Sequence, residues 1–269
     1  MMNTQKIASI DIGSNSIKLA VVEAVASDAL TIIYREKDIV RLGHETLSER
    51  HLSPEAINRA ASSIGRFRKI AENRGAEKIL TVATASVREA YNAAEFIEKV
   101  EEKTGVRVEI LSPIEEARVI GIGVSSLCVE GDKSLINIDI GGGSTELSLM
   151  RNGEPEKLFS MKLGAVGLTE RFLRHNPPNE KELKSLQANI RAAVERPMRE
   201  LTSEKWDFAT GTSGTILALG RIVNFNALTK TTAPKADIAL SKLTELNGML
   251  SRLTIIERQK IPEVSSQRA

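Results

Sequence analysis

The chain has 269 residues, enough for one large domain or two of about 100–150 residues each. Hydrophobic residues make up 41% and charged residues 27%, ordinary globular usage that excludes disorder of the whole chain. A net charge of +2 and 3% aromatic residues leave little with which to bind nucleic acid, and no apolar run approaches the ~20 residues that span a bilayer. Met1 to Lys6 carries no basic region followed by an apolar stretch, so no secretory signal is expected. Cys128 is the only cysteine, so no internal disulfide can form, and a cytoplasmic setting is expected.

Ile7 to Ile12 reads as a strand closed by Gly13, and Ile17 to Val25 as its hairpin partner with Ser14-Asn15 in the turn. A third strand covers Leu30 to Arg35. Ser53-Pro54 opens a helix whose apolar stripe is Ile57, Ala60, Ala61, Ile64, Phe67 and Ala71, with Gly75 placed to end it. Lys78 to Ala83 follows as a strand, Asn92 to Thr104 as a helix ended by Gly105, and Arg107 to Leu111 as a strand. Ser112-Pro113 opens a helix from Ile114 to Leu127. Strands then cover Leu135 to Ile140, Glu146 to Met150 and Lys157 to Met161, the last two joined at Asn152-Gly153. Helical spacing returns at Leu183, Leu186, Ile190, Val194 and Leu201, with Pro197 expected to bend or break it. Trp206 to Thr210 reads as a strand feeding a loop, Gly211 to Thr215, before further helices from Ile216 and from Ser241 to Ser251. Cys128 is expected to pack as a small hydrophobe, and the charged run Glu98 to Lys103 to be a solvated helix face. His44, His51 and His175 show no metal-ligand spacing. The alternation argues for an α/β fold, with mixed sheets because it opens on a hairpin.

One segment occurs twice. Ile10-Asp11-Ile12-Gly13-Ser14-Asn15-Ser16 and Ile138-Asp139-Ile140-Gly141-Gly142-Gly143-Ser144 agree at five of seven positions, and each lies between two strands. Two similar lobes, residues 1–127 and 128–269, would each offer one small-residue loop to a shared cleft. Such loops let backbone N–H groups approach an anion closely, with Ser14, Ser16, Ser144 and Thr145 adding hydroxyl donors. Asp11 and Asp139 would repel phosphate unless a cation lay between, which suggests Mg²⁺. The plainer alternative is a pair of hairpins with an acidic residue at each turn.

This duplicated pattern resembles the actin-like ATPase (ribonuclease H-like), sugar kinase and heat-shock chaperone superfamily, in which paired phosphate loops serve a cleft between two lobes. Further segments resemble the exopolyphosphatase / guanosine pentaphosphate phosphohydrolase (Ppx/GppA) family: Arg41-Leu42-Gly43, Ala83-Thr84-Ala85-Ser86-Val87-Arg88-Glu89-Ala90, Glu115-Glu116-Ala117-Arg118, the stretch from Asp139 to Glu146, and Gly211-Thr212-Ser213-Gly214-Thr215. The resemblance implies that Glu116 is a catalytic glutamate, Glu146 a second essential glutamate, Asp139 an essential aspartate, and Arg88 a phosphate contact. Phosphate binding would draw on Gly13, Ser14, Asn15, Ser16, Gly141, Gly142, Gly143, Ser144, Thr145, Gly211, Thr212 and Ser213, and Mg²⁺ on Asp11 and Asp139. On pattern alone, Glu115-Glu116 also suits a helix N-terminus and Arg88 a surface ion pair.

The implied activity is hydrolysis of the terminal phosphate of inorganic polyphosphate, with guanosine pentaphosphate as the alternative substrate and a non-catalytic binding regulator as a third reading. A homodimer is compatible with the sequence. Relatives continue past Arg268-Ala269 into a strand and helix, so short chains are the expected polyphosphate, no paired strand is expected over Glu263 to Ala269, and the second lobe is expected to be the less stable.

Overall fold

The computed structural model describes residues 5–24, 30–44, 49–128, 133–226, 231–232 and 237–264. The chain divides into two units, Met1–Glu116 and Ala117–Ala269.

In the first unit, β1 (Gln5–Ile12) and β2 (Ile17–Ala24) form an antiparallel hairpin with Ile12 opposite Ile17. Period-two alternation decides its faces: Ala8, Ile10, Ile12, Ile17, Leu19 and Val21 are buried on one side, while Ser9 and Lys18 are exposed on the other. β3 (Leu30–Asp38) pairs with β2, and β4 (Lys78–Ala83) runs parallel to β1. β5 (Glu109–Ile110) completes the order β3-β2-β1-β4-β5. It is shorter than the expected Arg107 to Leu111, with only Glu109 and Ile110 in register with β4.

Two helices, α1 (Pro54–Asn73) and α3 (Ala93–Thr104), pack their apolar stripes into the same core as the buried sheet face. Ser53 Oγ accepts from the Ala56 N–H at the start of α1. Gly105, at φ 64°, ends α3 in a left-handed conformation that favours glycine. A short helix, α2 (Ala85–Glu89), joins β4 to α3. Sequence periodicity cannot detect so short an element.

In the second unit, β6 (Ser134–Ile140), β7 (Thr145–Arg151), β8 (Glu154–Met161) and β9 (Phe208–Thr212) form a sheet ordered β8-β7-β6-β9. β6 and β7 repeat the β1–β2 hairpin, and β9 runs parallel to β6 as β4 does to β1. One face carries Ile136, Leu147, Leu149 and Met161, which pack with α5 (Ala165–Phe172) and α6 (Glu180–Thr202). The remaining helices are α4 (Pro113–Cys128), within which the two units divide, then α7 (Ser213–Val223), α8 (Leu240–Leu250) and α9 (Ile255–Gln259). A small ribbon pairs β10 (Phe225–Asn226) with β11 (Thr231–Thr232).

Three expectations are corrected. Pro197 does not break α6: it is buried inside a helix that continues to Thr202, where packing offsets its missing N–H. Gly211 to Thr215 is not a loop, because Gly211 and Thr212 finish β9 and Ser213 begins α7. Cys128 is exposed rather than packed. At the C-terminus, Glu263 and Val264 lie in no strand, and residues 265–269 are outside the described residues.

Candidate active site

The two hairpin loops share one geometry. Gly13 N donates to Ser16 O at 3.1 Å, and Gly141 N donates to Ser144 O at 2.9 Å. Each loop is braced by the segment that follows the third strand of its sheet. In the first unit, Gly43 N donates to Ser14 O at 2.6 Å and Arg41 N to Asn15 O at 2.9 Å. In the second, Ala165 N donates to Gly141 O and Val166 N to Gly142 O, both at 3.0 Å. The approach is tight enough to require glycine. A Cβ on Gly43 would lie 2.8 Å from Ser14 Cβ, and one on Gly164 would collide with the Gly142–Gly143 backbone.

This brace exposes a second repeat that the sequence reading missed: Arg41-Leu42-Gly43 is matched by Lys162-Leu163-Gly164. Both leucines are buried, and both glycines meet a loop. The signal, a basic residue followed by Leu-Gly, is only three residues long and stands out only beside the loop repeat. Ser14, Ser16, Ser144 and Thr145 are all buried in their hairpins.

In the first unit, Arg88 at the end of α2 meets Glu116 in the first turn of α4. Arg88 Nη1 donates to Glu116 Oε2 at 2.9 Å and to Leu111 O at 2.8 Å. The pair is 14% and 11% exposed at its side chains, so it is not a surface ion pair. Arg88 Nε is buried with no hydrogen-bond partner among the described residues. An unmet guanidinium N–H in a sheltered position is suited to an anionic oxygen. Asp11 is held differently, 2.9 Å from Lys18 Nζ.

In the second unit a polar row crosses the sheet. Ser160 on β8, Glu146 on β7, Asp139 on β6 and Thr212 on β9 are successive cross-strand partners. Ser160 Oγ donates to Glu146 Oε1 at 2.7 Å, and Thr212 Oγ1 donates to Asp139 Oδ2 at 2.7 Å. The row below joins Ser148, Asn137 and Thr210, and Thr210 Oγ1 donates to Asn137 Oδ1 at 3.0 Å. Ser148 Oγ donates to Ala117 O of α4 at 2.9 Å, which ties that helix to β7. The sequence repeat placed Asp139 and Glu146 near one loop. The hydroxyls of Ser160 and Thr212 that complete the row come from strands β8 and β9.

Mg²⁺ was expected on Asp11 and Asp139. Among the described residues no three His, Cys, Asp or Glu side chains converge as a metal cage. Mg²⁺ needs no such cage, since one or two carboxylates with water and substrate oxygens suffice. Asp139 and Glu146, opposed on neighbouring strands, fit that requirement: both offer hard oxygen ligands, and two facing carboxylates favour a cation between them. Asp11 fits it less well, because Lys18 already supplies its counter-charge.

The family profile described as the Ppx/GppA phosphatase family matches residues 20–269. The chain belongs to this family. As a Ppx/GppA phosphatase it is an enzyme that hydrolyses phosphoanhydride bonds. Exopolyphosphatase 1 of Mycobacterium leprae is 32% identical over 263 residues, covering 97% of this chain and 77% of the relative. The solved Aquifex aeolicus PPX-GPPA enzyme is 27% identical with a TM-score of 0.79, covering 99% of this chain and 87% of that one. An exopolyphosphatase structure from Cytophaga hutchinsonii, at 24% identity, 98% and 85% coverage and a TM-score of 0.89, adds likeness of fold alone. The α/β architecture with mixed sheets, expected from the alternation of strands and helices, is the one observed in this Ppx/GppA phosphatase. No helix among its described residues is long and apolar enough to cross a membrane.

Proposed function

We propose that this phosphatase removes the terminal phosphate of inorganic polyphosphate by in-line attack of water. The observation that carries the reading is the sheltered Arg88–Glu116 pair, with a guanidinium N–H left over for an anion. A terminal phosphate oxygen entering beside Arg88 would satisfy that donor and draw the guanidinium toward itself. The Glu116 carboxylate would then accept a proton from the attacking water. The new bond joins water oxygen to the terminal phosphorus, and the bond to the bridging oxygen breaks. Phosphate and a chain one unit shorter leave.

Each unit's hairpin loop would offer phosphate its N–H groups and hydroxyls: those around Gly13 with Ser14 and Ser16 in the first unit, and those of Gly141–Gly143 with Ser144 and Thr145 in the second. Gly211, Thr212 and Ser213, at the end of β9 and the start of α7, would add phosphate contacts in the second unit. Asp139 and Glu146 would hold Mg²⁺, with Asp11 as the weaker candidate ligand. Bound there, the ion would neutralise phosphate charge as a Lewis acid. The lone cysteine supports a cytoplasmic enzyme.

A second substrate, guanosine pentaphosphate, is favoured by a different feature. Tyr91, three residues beyond Arg88, is 73% exposed, and Arg50 lies 4.4 Å from its ring centroid. An exposed aromatic braced by a guanidinium is a platform on which a base can stack.

Phosphate release from short polyphosphate, long polyphosphate and guanosine pentaphosphate, each with and without Mg²⁺, tests both. Release from polyphosphate that requires Mg²⁺ is the expected result. Release from the nucleotide alone would move the assignment to the second substrate. Binding without release from any of the three would leave a binding protein.

A further inference from the structure

The five-residue helix α2 links the first hairpin loop to the Arg88–Glu116 pair. At its start, Thr84 N and Thr84 Oγ1 both donate to Ile12 O, at 3.2 and 3.4 Å, next to Gly13 of the loop. At its end, Arg88 holds Glu116. Between them, Ser86 is 1% exposed, and its Oγ has no hydrogen-bond partner among the described residues. A buried hydroxyl left unpaired destabilises the fold, and native structures keep few of them.

Ser86 Oγ faces the loop. A Cβ on Gly43 would lie 2.9 Å from Ser86 Oγ and 2.8 Å from Ser14 Cβ, so the absence of a side chain at Gly43 is what lets Ser86 and Ser14 approach each other. Ser14 is buried too, and its carbonyl oxygen already accepts from Gly43 N at 2.6 Å. That leaves the Ser14 hydroxyl as the group that rotation about χ1 can bring to Ser86. A hydroxyl that donates to an anion becomes a stronger acceptor, because successive hydrogen bonds polarise one another.

We infer that Ser86 is a positioning residue for the first hairpin loop. When Ser14 donates to phosphate, Ser86 Oγ donates to Ser14 Oγ and fixes that hydroxyl in its binding rotamer. Ser86 itself touches no substrate. The inference rests on the reading above that this loop binds phosphate. The free protein carries the unpaired hydroxyl and the bound protein pairs it, so what Ser86 costs in folding returns as affinity.

The test reads thermal melting and binding together. Tripolyphosphate is titrated by calorimetry into the full-length protein carrying Glu116→Gln, so that the probe is not consumed. In that background Ser86→Ala should melt, without ligand, at the same temperature or higher, because it removes an unpaired buried group. It should bind tripolyphosphate about three- to tenfold more weakly, the scale of one neutral hydrogen bond. Ser86→Cys, similar in size but a poor donor, should show the same loss of affinity without leaving a void. With Ser14→Ala already present, Ser86→Ala should cost no further affinity. Thr81→Val, which removes another buried unpaired hydroxyl opposite Ile10, should bind as the background does. A lower melting temperature with unchanged affinity in Ser86→Ala would make the residue structural only and overturn the inference. The same loss of affinity with or without Ser14, or an equal loss in Thr81→Val, would overturn it as well. A background protein that binds no tripolyphosphate would overturn the phosphate reading itself, whereas binding that Ser86 does not affect leaves that reading standing and removes only the role of Ser86.

Discussion

Strand for strand, the two sheets repeat each other through four positions, and their loops are braced by the same short motif. Across the loop-end row, however, the first sheet reads Lys37–Lys18–Asp11–Val82 and the second Ser160–Glu146–Asp139–Thr212. The position after the loop that is lysine in one unit is glutamate in the other. The units also differ in their cores. The first has an extended hydrophobic cluster running from Ala8 to Val108, while the cluster in the second, among the described residues, is smaller, with six buried members from Ile136 to Leu201. The positions that make the hairpin agree in both units, while those of the loop-end row differ. One copy now presents cations beside its aspartate, suited to phosphate. The other presents two carboxylates with hydroxyls, suited to a metal ion.

The largest expected effect tests whether the first unit alone supplies the base. Glu116→Gln keeps the side chain's shape and its place beside Arg88 but removes its basicity. Turnover should fall by about 10²–10⁴-fold, the usual general-base contribution, with substrate affinity much less affected. Turnover at the wild-type rate in a phosphate-release assay would remove Glu116 from the chemistry.

Next comes the divergent position itself. Glu146→Lys gives the second row the charge pattern of the first and should abolish activity at every Mg²⁺ concentration. Glu146→Gln and Asp139→Asn should lose activity that excess Mg²⁺ partly restores. The reciprocal Lys18→Glu should weaken binding of substrate rather than the response to Mg²⁺. A Mg²⁺ titration in which Glu146→Lys behaves as wild type would show that the asymmetry of the rows has no part in metal binding.

Arg88 gives a smaller effect. Loss of a charge-assisted phosphate contact costs roughly 1.5–3 kcal/mol, so Arg88→Ala should raise KM about tenfold or more, and Arg88→Lys should recover only part. Because Glu116 loses its partner too, kcat is also expected to fall in Arg88→Ala. An unchanged KM with reduced kcat would confine Arg88 to positioning Glu116.

Much of this arrangement was legible in the sequence because its signals are local. The short apolar run from Ile7 to Ile12, closed by Gly13, and the cap at Ser53-Pro54 mark a strand and a helix directly, and the seven-residue repeat marks both hairpins. Less legible were features set by partners distant in the chain. Ser160 and Thr212 join Glu146 and Asp139 only through strand register. The Arg88–Glu116 bond joins residues 28 apart, on helices that no short pattern relates. Gly211 to Thr215 has the composition of a loop, yet pairing of Gly211 and Thr212 with β6 makes the first two residues strand. The continuity of α6 through Pro197 likewise depends on the packing that buries that residue.

The smallest effect concerns the long helix that covers each core. α1 begins on the neutral hydroxyl of Ser53, whereas α6 begins on a charged arrangement. Asn179 Oδ1 accepts from Glu182 N at 3.0 Å, and the Glu182 carboxylate accepts in turn from Asn179 N. It also bonds His175 Nδ1 at 2.8 Å and accepts from Arg174 N at 2.9 Å. The bond with His175 is the main cause that lowers the Glu182 carboxyl to about 2, and the Arg174 and Asn179 N–H groups add to it against some cost of burial. A folded-state value below the ordinary 4.5 means that the ionised form stabilises the fold. That contribution is present in full above the ordinary value and is lost as pH falls from there toward about 2. Acid sensitivity from helix capping should therefore belong to the second unit, not the first. Trp206, the only tryptophan, lies in the second unit and gives a fluorescence probe for it. In urea titrations followed by Trp206, Glu182→Gln should be less stable than wild type at about pH 6, and the gap should narrow at about pH 3 as the wild-type carboxylate begins to protonate. A gap of the same size at both pH values would show that the cap depends on hydrogen bonding alone and that the charge of Glu182 adds nothing.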